Sequence, residues 1–456
     1  WNLYGAHQPS AHTHSSTMKA GINALGVAAT VAVAAANDNG LALTPPLGWR
    51  SWNLYGANVN QDLIEGIMDG MVNSSRPIWS GKSTNLRDLG YSDVGLDDNW
   101  QACGDPKAKA VGMNYHDAQG KPIVNLQRFP DFNKMTDHAH SLKMTSGWYG
   151  NNCICSDHCK SADECTAQMT QDVAALVKYN FDSWKLDGCG GETDLAQIDK
   201  ILRAANKKVV VENCHWGSKV PFKPDPSLPP AEGCPWNFYR TSGDVRASYA
   251  SIMHNLGTVF PLADQNLSYP GCWAYPDMLQ VGCQHGPGGK NDPGLTAAET
   301  RTHFAAWAIV SSPLTLSHDV NNETVTSEIW DVITNTEILE VNQAYAGFSG
   351  NSFDQSETTV ELTDAYIEST EWESRVVVSN STFLYKPLGG GKTAVALLNS
   401  GMTSTDLTFK FSDIPGVTGS TFQVRDLWMH KDLGSFSDSF TAKDIGSHDC
   451  GIYVLA

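Results

Sequence analysis

From Leu47 to about residue 340, short apolar or aromatic runs alternate with stretches of helical periodicity. The runs Gly48–Leu54, Tyr91–Leu96, Met144–Tyr149, Phe181–Leu186, Val209–Glu212 and Phe238–Ser242 read as strands. After the fourth, Leu195, Ile198 and Leu202 share one helical face, with Thr193 or Asp194 as the cap. Val209-Val210-Val211 then follows as the next strand, so this portion is a βαβ unit. Thr296-Ala297-Ala298-Glu299 reads as a capping box that opens a helix through Trp307. Six or more such units over about 300 residues predict a (β/α)8 barrel rather than an open sheet. Helical periodicity fades after about Ala344. Alternating runs follow at Arg375–Val378, Thr393–Leu398, Leu407–Phe411, Phe422–Leu427 and Gly451–Leu455, parted by Gly- and Ser-rich turns. They predict a small antiparallel β-sandwich.

The first residues stand apart from this pattern. Met18-Lys19, the alanine-rich run Gly21 to Ala35 and Ala34-Ala35-Ala36 before Asn37-Asp38-Asn39 have the layout of a secretory signal peptide. Residues 1–17 precede the expected initiator Met18, and their "WNLYGA" duplicates Trp52 to Ala57, so they are read as extraneous to the fold. The expected organisation is therefore an extraneous segment 1–17, a signal peptide 18–36, a catalytic barrel 37–344 and a β-sandwich 345–456.

Composition narrows the function classes. With 41% hydrophobic and 18% charged residues the chain is globular, and its net charge of -18 argues against a nucleic-acid partner. No second long apolar run exists, so no membrane span is expected in the mature chain. Eleven cysteines fit an exported protein with disulfides, secreted or held in a vacuolar or lysosomal compartment, and the odd count leaves one thiol over. Sequons at Asn73, Asn266, Asn322 and Asn380 fit the same route. Candidate disulfide cysteines are Cys153, Cys155, Cys189, Cys214, Cys234, Cys272 and Cys283, with Cys189 expected to pair with Cys153 or Cys155. The cluster Cys153, Cys155, Cys159 and Cys165 lacks the paired knuckles of a zinc site, so no metal is expected. Gly389-Gly390-Gly391-Lys392 lacks the spacing of a phosphate loop and reads as a hairpin turn; no cofactor is called for.

In a barrel, catalytic groups belong at the C-terminal ends of strands. Several predicted strands end in carboxylates: Asp97 and Asp98, then Asp187, then Asp244 in the following turn, with Asp277 after the aromatic loop Trp273 to Pro276. Trp49, Trp52, Trp100, Trp148, Tyr149, Trp184 and Trp273 accompany them. Carboxylates for hydroxyls and aromatic faces for C–H surfaces predict a sugar site, where two carboxylates perform retaining glycoside hydrolysis. Lys185 and Asp187 share a strand face, so the ammonium is expected to keep Asp187 ionised, as a nucleophile requires. Arg240 lies four residues before Asp244, whose environment is expected to raise its pKa relative to Asp187.

In order and spacing, "NGLALTPPLGW", "GLDDNW", "RFPDF", "WKLDGC", "PDM", "WAIVSSPL" and "VRDLW" resemble glycoside hydrolase family 27, the α-galactosidases and α-N-acetylgalactosaminidases. The resemblance spans essentially the whole mature chain. It implies a barrel plus β-domain, no cofactor, and retaining cleavage of terminal α-galactosides, with a galactose-containing oligosaccharide, polysaccharide or glycoconjugate as substrate. By motif, Asp187 looks like the nucleophile and Asp244 like the acid/base. Asp97 and Asp98 resemble the clamp on O4 and O6, Lys185 the lysine on ring hydroxyls and Arg240 the arginine near O2. Trp52, Tyr149 and Asp277 match further pocket positions. His215 and Ser218 in "CHWGS" occupy the loop that reads the C2 substituent, and Ala274-Tyr275 stands where the family usually has Asn-Asp. α-N-Acetylgalactosaminidase and β-L-arabinopyranosidase are the rival enzymes, the latter disfavoured by Asp97, which would hold a hydroxymethyl group that a pentopyranose lacks. A sugar-binding or extracellular-matrix protein on a decayed hydrolase scaffold is the rival outside enzymes. A homodimer is left open.

Overall fold

The computed structural model describes residues 39–104, 115–150, 155, 159–189, 194–221, 234–286, 294–363 and 375–456. The expected leader and the segment before it lie outside these.

Eight strands form one parallel sheet: β1 Leu47–Arg50, β2 Asp93–Gly95, β3 Thr145–Gly150, β4 Ser183–Asp187, β5 Val210–Cys214, β6 Phe238–Arg240, β7 Trp273–Tyr275 and β8 Leu314–Leu316. They stand in chain order, with β8 returning beside β1. At the seam between β7 and β8, the Leu279 N–H donates to the Thr315 carbonyl (2.9 Å). This is the expected (β/α)8 architecture. Helices between the strands start where a short polar side chain accepts from the first turn: Asn60 for Gln61–Met71, Ser161 for Ala162–Lys178, Asp194 for Leu195–Ala204. The Thr296–Glu299 capping box is present, and its helix runs Ala297–Ile309.

Two readings change. The first strand stops at Arg50, and Trp52–Tyr55 turns into one helical turn, so the predicted strand Gly48–Leu54 is only half strand. Trp273 to Tyr275, read as a loop, is β7. Three residues between Cys272 and Pro276 carry little periodicity, and the parallel ladder with β6 makes them a strand.

Alternation along the strands decides what each face holds. Asp93 and Ser183 meet inside the barrel through Ser183 Oγ–H to Asp93 Oδ2 (2.8 Å). One layer up, Arg50 faces Glu212 across the interior (Nε to Oε2, 3.4 Å). Gly95 leaves room for that arginine: a Cβ there would stand 2.6 Å from Arg50 Nη1. The neighbours Trp49, Trp148 and Trp184 point the other way, into the layer under the helices, whereas Trp273, in register with Phe238, faces the interior.

Beyond Asn351, an antiparallel six-stranded sheet runs in the order Asn351–Gln355, Ser381–Gly389, Lys392–Asn399, Cys450–Leu455, Thr421–Asp426, Lys431–Ser437. Phe383, Tyr385, Val395 and Leu397 pack against Leu407, Phe409 and Phe440 of the pair Thr405–Lys410 and Ser439–Ile445, closing a sandwich. The alternate residues Leu384, Ala394, Ala396 and Leu398 join the barrel's core instead. Helix Ala297–Ile309 lies between, buried on every side from Thr302 onward, as expected for a helix apolar all round. The glycine turn at Gly389 to Gly391 is the expected hairpin, with all three residues at positive φ.

Candidate active site

The C-terminal ends of β2, β4 and β6 gather the acidic residues singled out from the sequence. Asp97 and Asp98 follow β2, Asp187 ends β4, and Asp244 follows β6 within a turn. Lys185, two residues below Asp187, donates to Asp97 Oδ2 at 2.7 Å, both side chains being almost fully buried. Its ion-pair partner is therefore Asp97 on β2's extension and not Asp187, as the shared strand face had led us to expect. Burial opposes the Lys185 charge, and Asp97 with help from Glu212 and Asp187 outweighs it, holding its pKa well above the ordinary lysine value.

Asp187 is held from two sides: Oδ1 accepts from the Gly188 N–H (2.8 Å) and Oδ2 from the Tyr149 hydroxyl (2.9 Å). Tyr149 also places its ring 5.6 Å from Lys185 Nζ. Burial raises the Asp187 pKa, and Lys185, Tyr149 and Gly188 only partly offset it. Asp244 differs. Its side chain is 61% exposed, and Oδ1 accepts from Arg240 Nη2 at 2.9 Å. Partial burial pushes its pKa up, but the Arg240 charge and hydrogen bond win and hold it below the ordinary value. The expected proximity of Arg240 is present. The expected order of the two acids is reversed in the free site, because the guanidinium sits on Asp244 and the low-dielectric surroundings on Asp187.

Asp98 is buried behind Asp97, accepts from the Asn99 N–H (2.7 Å), and is pushed up to about 7 by burial and by the Asp97 and Asp187 charges. The folded state thus keeps a proton that the unfolded chain, at an ordinary 3.8, releases. Stability from this group is fully present below pH 4 and is lost as pH rises through 7. We expect thermal unfolding followed from pH 4 to 7 to show a stability slope approaching about -1.4 kcal/mol per pH unit from this group. Asp98→Asn should flatten it; an unchanged slope would rule Asp98 out as its source.

His215 and Ser218 lie after β5. Asn213 Nδ2 donates to the Lys219 carbonyl (2.8 Å), so its Oδ1 faces His215 Nδ1 at 2.8 Å and accepts from it. Nε2 is then an acceptor, buried with no hydrogen-bond partner among the described residues. Burial and Lys219 lower the His215 pKa to about 4, so the ring is neutral. Ser218 donates its hydroxyl to the His215 carbonyl (2.7 Å), closing its own turn. Trp52 packs beside Tyr275 and Met278. Asp277 sinks behind Arg240, its Oδ2 3.1 Å from Nη2.

The aromatic wall expected from the sequence is much smaller. Trp49, Trp100, Trp148, Trp184 and Trp273 are at most 1% exposed. Trp148 stacks on Phe181 and Trp184 at centroid distances of 5.4 and 5.9 Å, so Trp148 and Trp184 are core packing on the outer strand face, while Trp273 packs inside the barrel in the cluster of Phe238 and Tyr275. Conversely, Trp216, which sequence reasoning passed over, is 43% exposed and stands beside Gly188. Its place between His215 and Ser218 was the available signal.

Among the cysteines, Cys234–Cys272 form a disulfide, while Cys155 pairs with Cys103 and Cys159 with Cys165. Cys189 is disulfide-bonded too, but not to Cys155; Cys153 lies outside the described residues. Cys214, expected in a disulfide, is a buried free thiol, as is Cys450, and Cys283, also expected in one, is buried with its thiol 3.9 Å from the Leu279 carbonyl. Cys214 instead sets its Sγ 3.3 Å from Arg240 Nη1, inside the site. Among the described residues, no helix is long and apolar enough to cross a membrane, and no cluster of His, Cys, Asp or Glu has metal-binding geometry.

Comparison with known proteins gives one family. Residues 44–344 match the family described as alpha galactosidase A, and residues 379–455 match the alpha galactosidase C-terminal beta sandwich domain. The alpha-galactosidase of Cyamopsis tetragonoloba is 29% identical over 428 residues, covering 92% of this chain and 87% of that protein. Among solved structures, alpha-galactosidase I from Mortierella vinacea superposes with a TM-score of 0.68 at 23% identity, covering 92% of this chain and 98% of the other. A β-L-arabinopyranosidase of glycoside hydrolase family 27 from Geobacillus stearothermophilus reaches 0.67 at 18% identity, covering 91% and 97%.

Proposed function

The chain belongs to the alpha galactosidase A family of glycoside hydrolases, and from that premise we propose that it removes terminal α-D-galactosyl residues with retention of configuration. The observation that carries this reading is that Asp187 ends β4 and Asp244 follows β6, one buried and one exposed, with the Lys185–Asp97 pair between strand ends and Lys185 acting on both acids. In this reading Asp187 attacks the anomeric carbon while Asp244 protonates the departing glycosidic oxygen. The galactosyl–Asp187 ester is then cleaved by a water that gives its proton to Asp244. A proton starts on Asp244 only if something lifts its pKa. The aglycone supplies that by covering the exposed carboxyl, since desolvation favours the neutral form. Disulfides at Cys103–Cys155, Cys159–Cys165 and Cys234–Cys272 support an exported or vacuolar-type location.

The test is a panel of aryl α-galactoside, α-N-acetylgalactosaminide and β-L-arabinopyranoside, with the first product anomer read by NMR. We expect turnover of the α-galactoside to exceed the other two and to release α-galactose. Release of the β-anomer would exclude double displacement. Preference for another glycoside would move the substrate assignment, and absence of turnover by folded protein would favour a binding role.

A further inference from the structure

We propose that Asp277 is a positioning residue for Asp244: it anchors the loop that carries Asp244 and takes part of the Arg240 charge that would otherwise fall on it. The inference rests on the acid/base reading of Asp244. The resemblance placed Asp277 among pocket-lining residues, but its side chain is committed to the protein. Oδ1 accepts from the Met278 N–H (2.7 Å), while Oδ2 accepts from the Val245 N–H (2.8 Å) and faces Arg240 Nη2 (3.1 Å). Only 4% of the residue is exposed. Its backbone sits at a φ of 97°, a conformation that costs an L-residue energy and persists where surrounding contacts enforce it. One such contact is Trp307 Nε1–H to the Asp277 carbonyl (2.7 Å).

The loop between Gly243 and Val245 is laced to the segment around Asp277 on both flanks. Asn255 Nδ2 donates to the carbonyls of Gly243 (3.1 Å) and Pro276 (3.0 Å), and Gln280 Nε2 donates to the Val245 carbonyl (2.8 Å). Asp244 is thus the exposed residue of a loop whose neighbours are fixed. Arg240 Nη2 lies between the two carboxylates, at 2.9 Å from Asp244 and 3.1 Å from Asp277. Lys185 on β4 and Arg246 in the same loop are cationic toward Asp244, and the Glu212 carboxyl on β5 interacts with Arg240. Tyr275 on β7, the Cys214 thiol on β5 and His303, which accepts from the Gln280 N–H, are neutral. Asp277 is therefore an anion on the same guanidinium as Asp244, set against three cations; the two carboxylates repel each other, and a neighbouring anion raises the proton affinity of a carboxyl. Without it, the acid would be ionised over more of the working pH range.

A leaving-group series separates this role from a sugar contact or a packing role. The full chain and Asp277→Asn are compared on methyl and 2,4-dinitrophenyl α-galactosides, with kcat/KM followed across pH. We expect Asp277→Asn to lose roughly 10–100-fold on the methyl galactoside, which needs protonation, and to stay within about threefold on the dinitrophenyl one. Its alkaline limb should move to lower pH. Asp244→Ala is run alongside: equal losses on both substrates would sink the acid/base reading itself. A selective loss in Asp244→Ala with an unselective loss, or an unmoved alkaline limb, in Asp277→Asn would overturn the positioning role alone. If circular dichroism shows Asp277→Asn unfolded, Asp277→Glu keeps the charge on a longer arm. That variant should give the selective loss with the limb in place, and an unselective loss overturns the proposal.

Discussion

Asp187→Asn is expected to lower kcat by about 10⁴-fold or more on every glycoside the protein cleaves, because no other group replaces the attacking oxygen. The side chain's partners make this a clean substitution. The oxygen of the new amide still accepts from the Gly188 N–H, and its nitrogen can donate to the Tyr149 oxygen, whose hydroxyl now turns away; the two distances in the native site are 2.8 and 2.9 Å. Lys185 keeps its ion pair with Asp97. Removing a carboxyl whose charge is disfavoured by burial should leave stability within about 1 kcal/mol of the native protein, or raise it. Steady-state kinetics with thermal unfolding on the same preparation checks both halves. Turnover within tenfold of the native rate would sink the nucleophile assignment, and a large loss of stability would mean the carboxylate charge helps hold the fold.

What could be read from the chain and what could not divides along sequence distance. Arg240 and Asp244 are four apart, and their contact at 2.9 Å was within reach of spacing alone. Lys185 and Asp97 are 88 residues apart, and no local pattern announces that the ammonium leans across to β2's end rather than along its own strand. Period two told us that Trp148 and Tyr149, or Trp184 and Lys185, face opposite ways. It did not say which way was inward, so the tryptophans were credited to the pocket that Tyr149 and Lys185 occupy. Tyr275's strand was missed because three residues bounded by a cysteine and a proline hold no period, while their ladder to β6 is a long-range property. Cys155, Cys189, Cys234 and Cys272 are disulfide-bonded as expected, but Cys214 escaped in the same manner: it ends a strand inside the barrel beside Arg240, where it stays a free thiol. The pKa order of the two acids likewise depends on burial and charge placement that only the assembled barrel sets.

Asp97→Ala is expected to damage both fold and function, and a second substitution tells the two apart. The carboxylate is 1% exposed, with Oδ2 on Lys185 Nζ (2.7 Å) and Oδ1 accepting from the Asp98 N–H (2.9 Å). Its loss strands a buried ammonium, a change that typically costs about 3–5 kcal/mol. In a protein of this size that should appear as a fall in the thermal midpoint on the order of 10 °C. Loss of kcat/KM should exceed about 10³-fold, because the site loses an acceptor and Lys185 is free to move toward Asp187. Asp97→Leu with Lys185→Met replaces the pair by apolar groups of similar bulk. Such replacements are often neutral or stabilising, so the double variant should recover to within about 1 kcal/mol of the native stability. It should remain inactive. Recovery of activity along with stability would show the pair to be scaffolding, whereas a single substitution costing under about 1 kcal/mol would mean that Glu212 and Asp187 already suffice to hold the Lys185 charge. The expected split, stability restored and hydrolysis not, is what a charged pair retained for recognition rather than for folding requires.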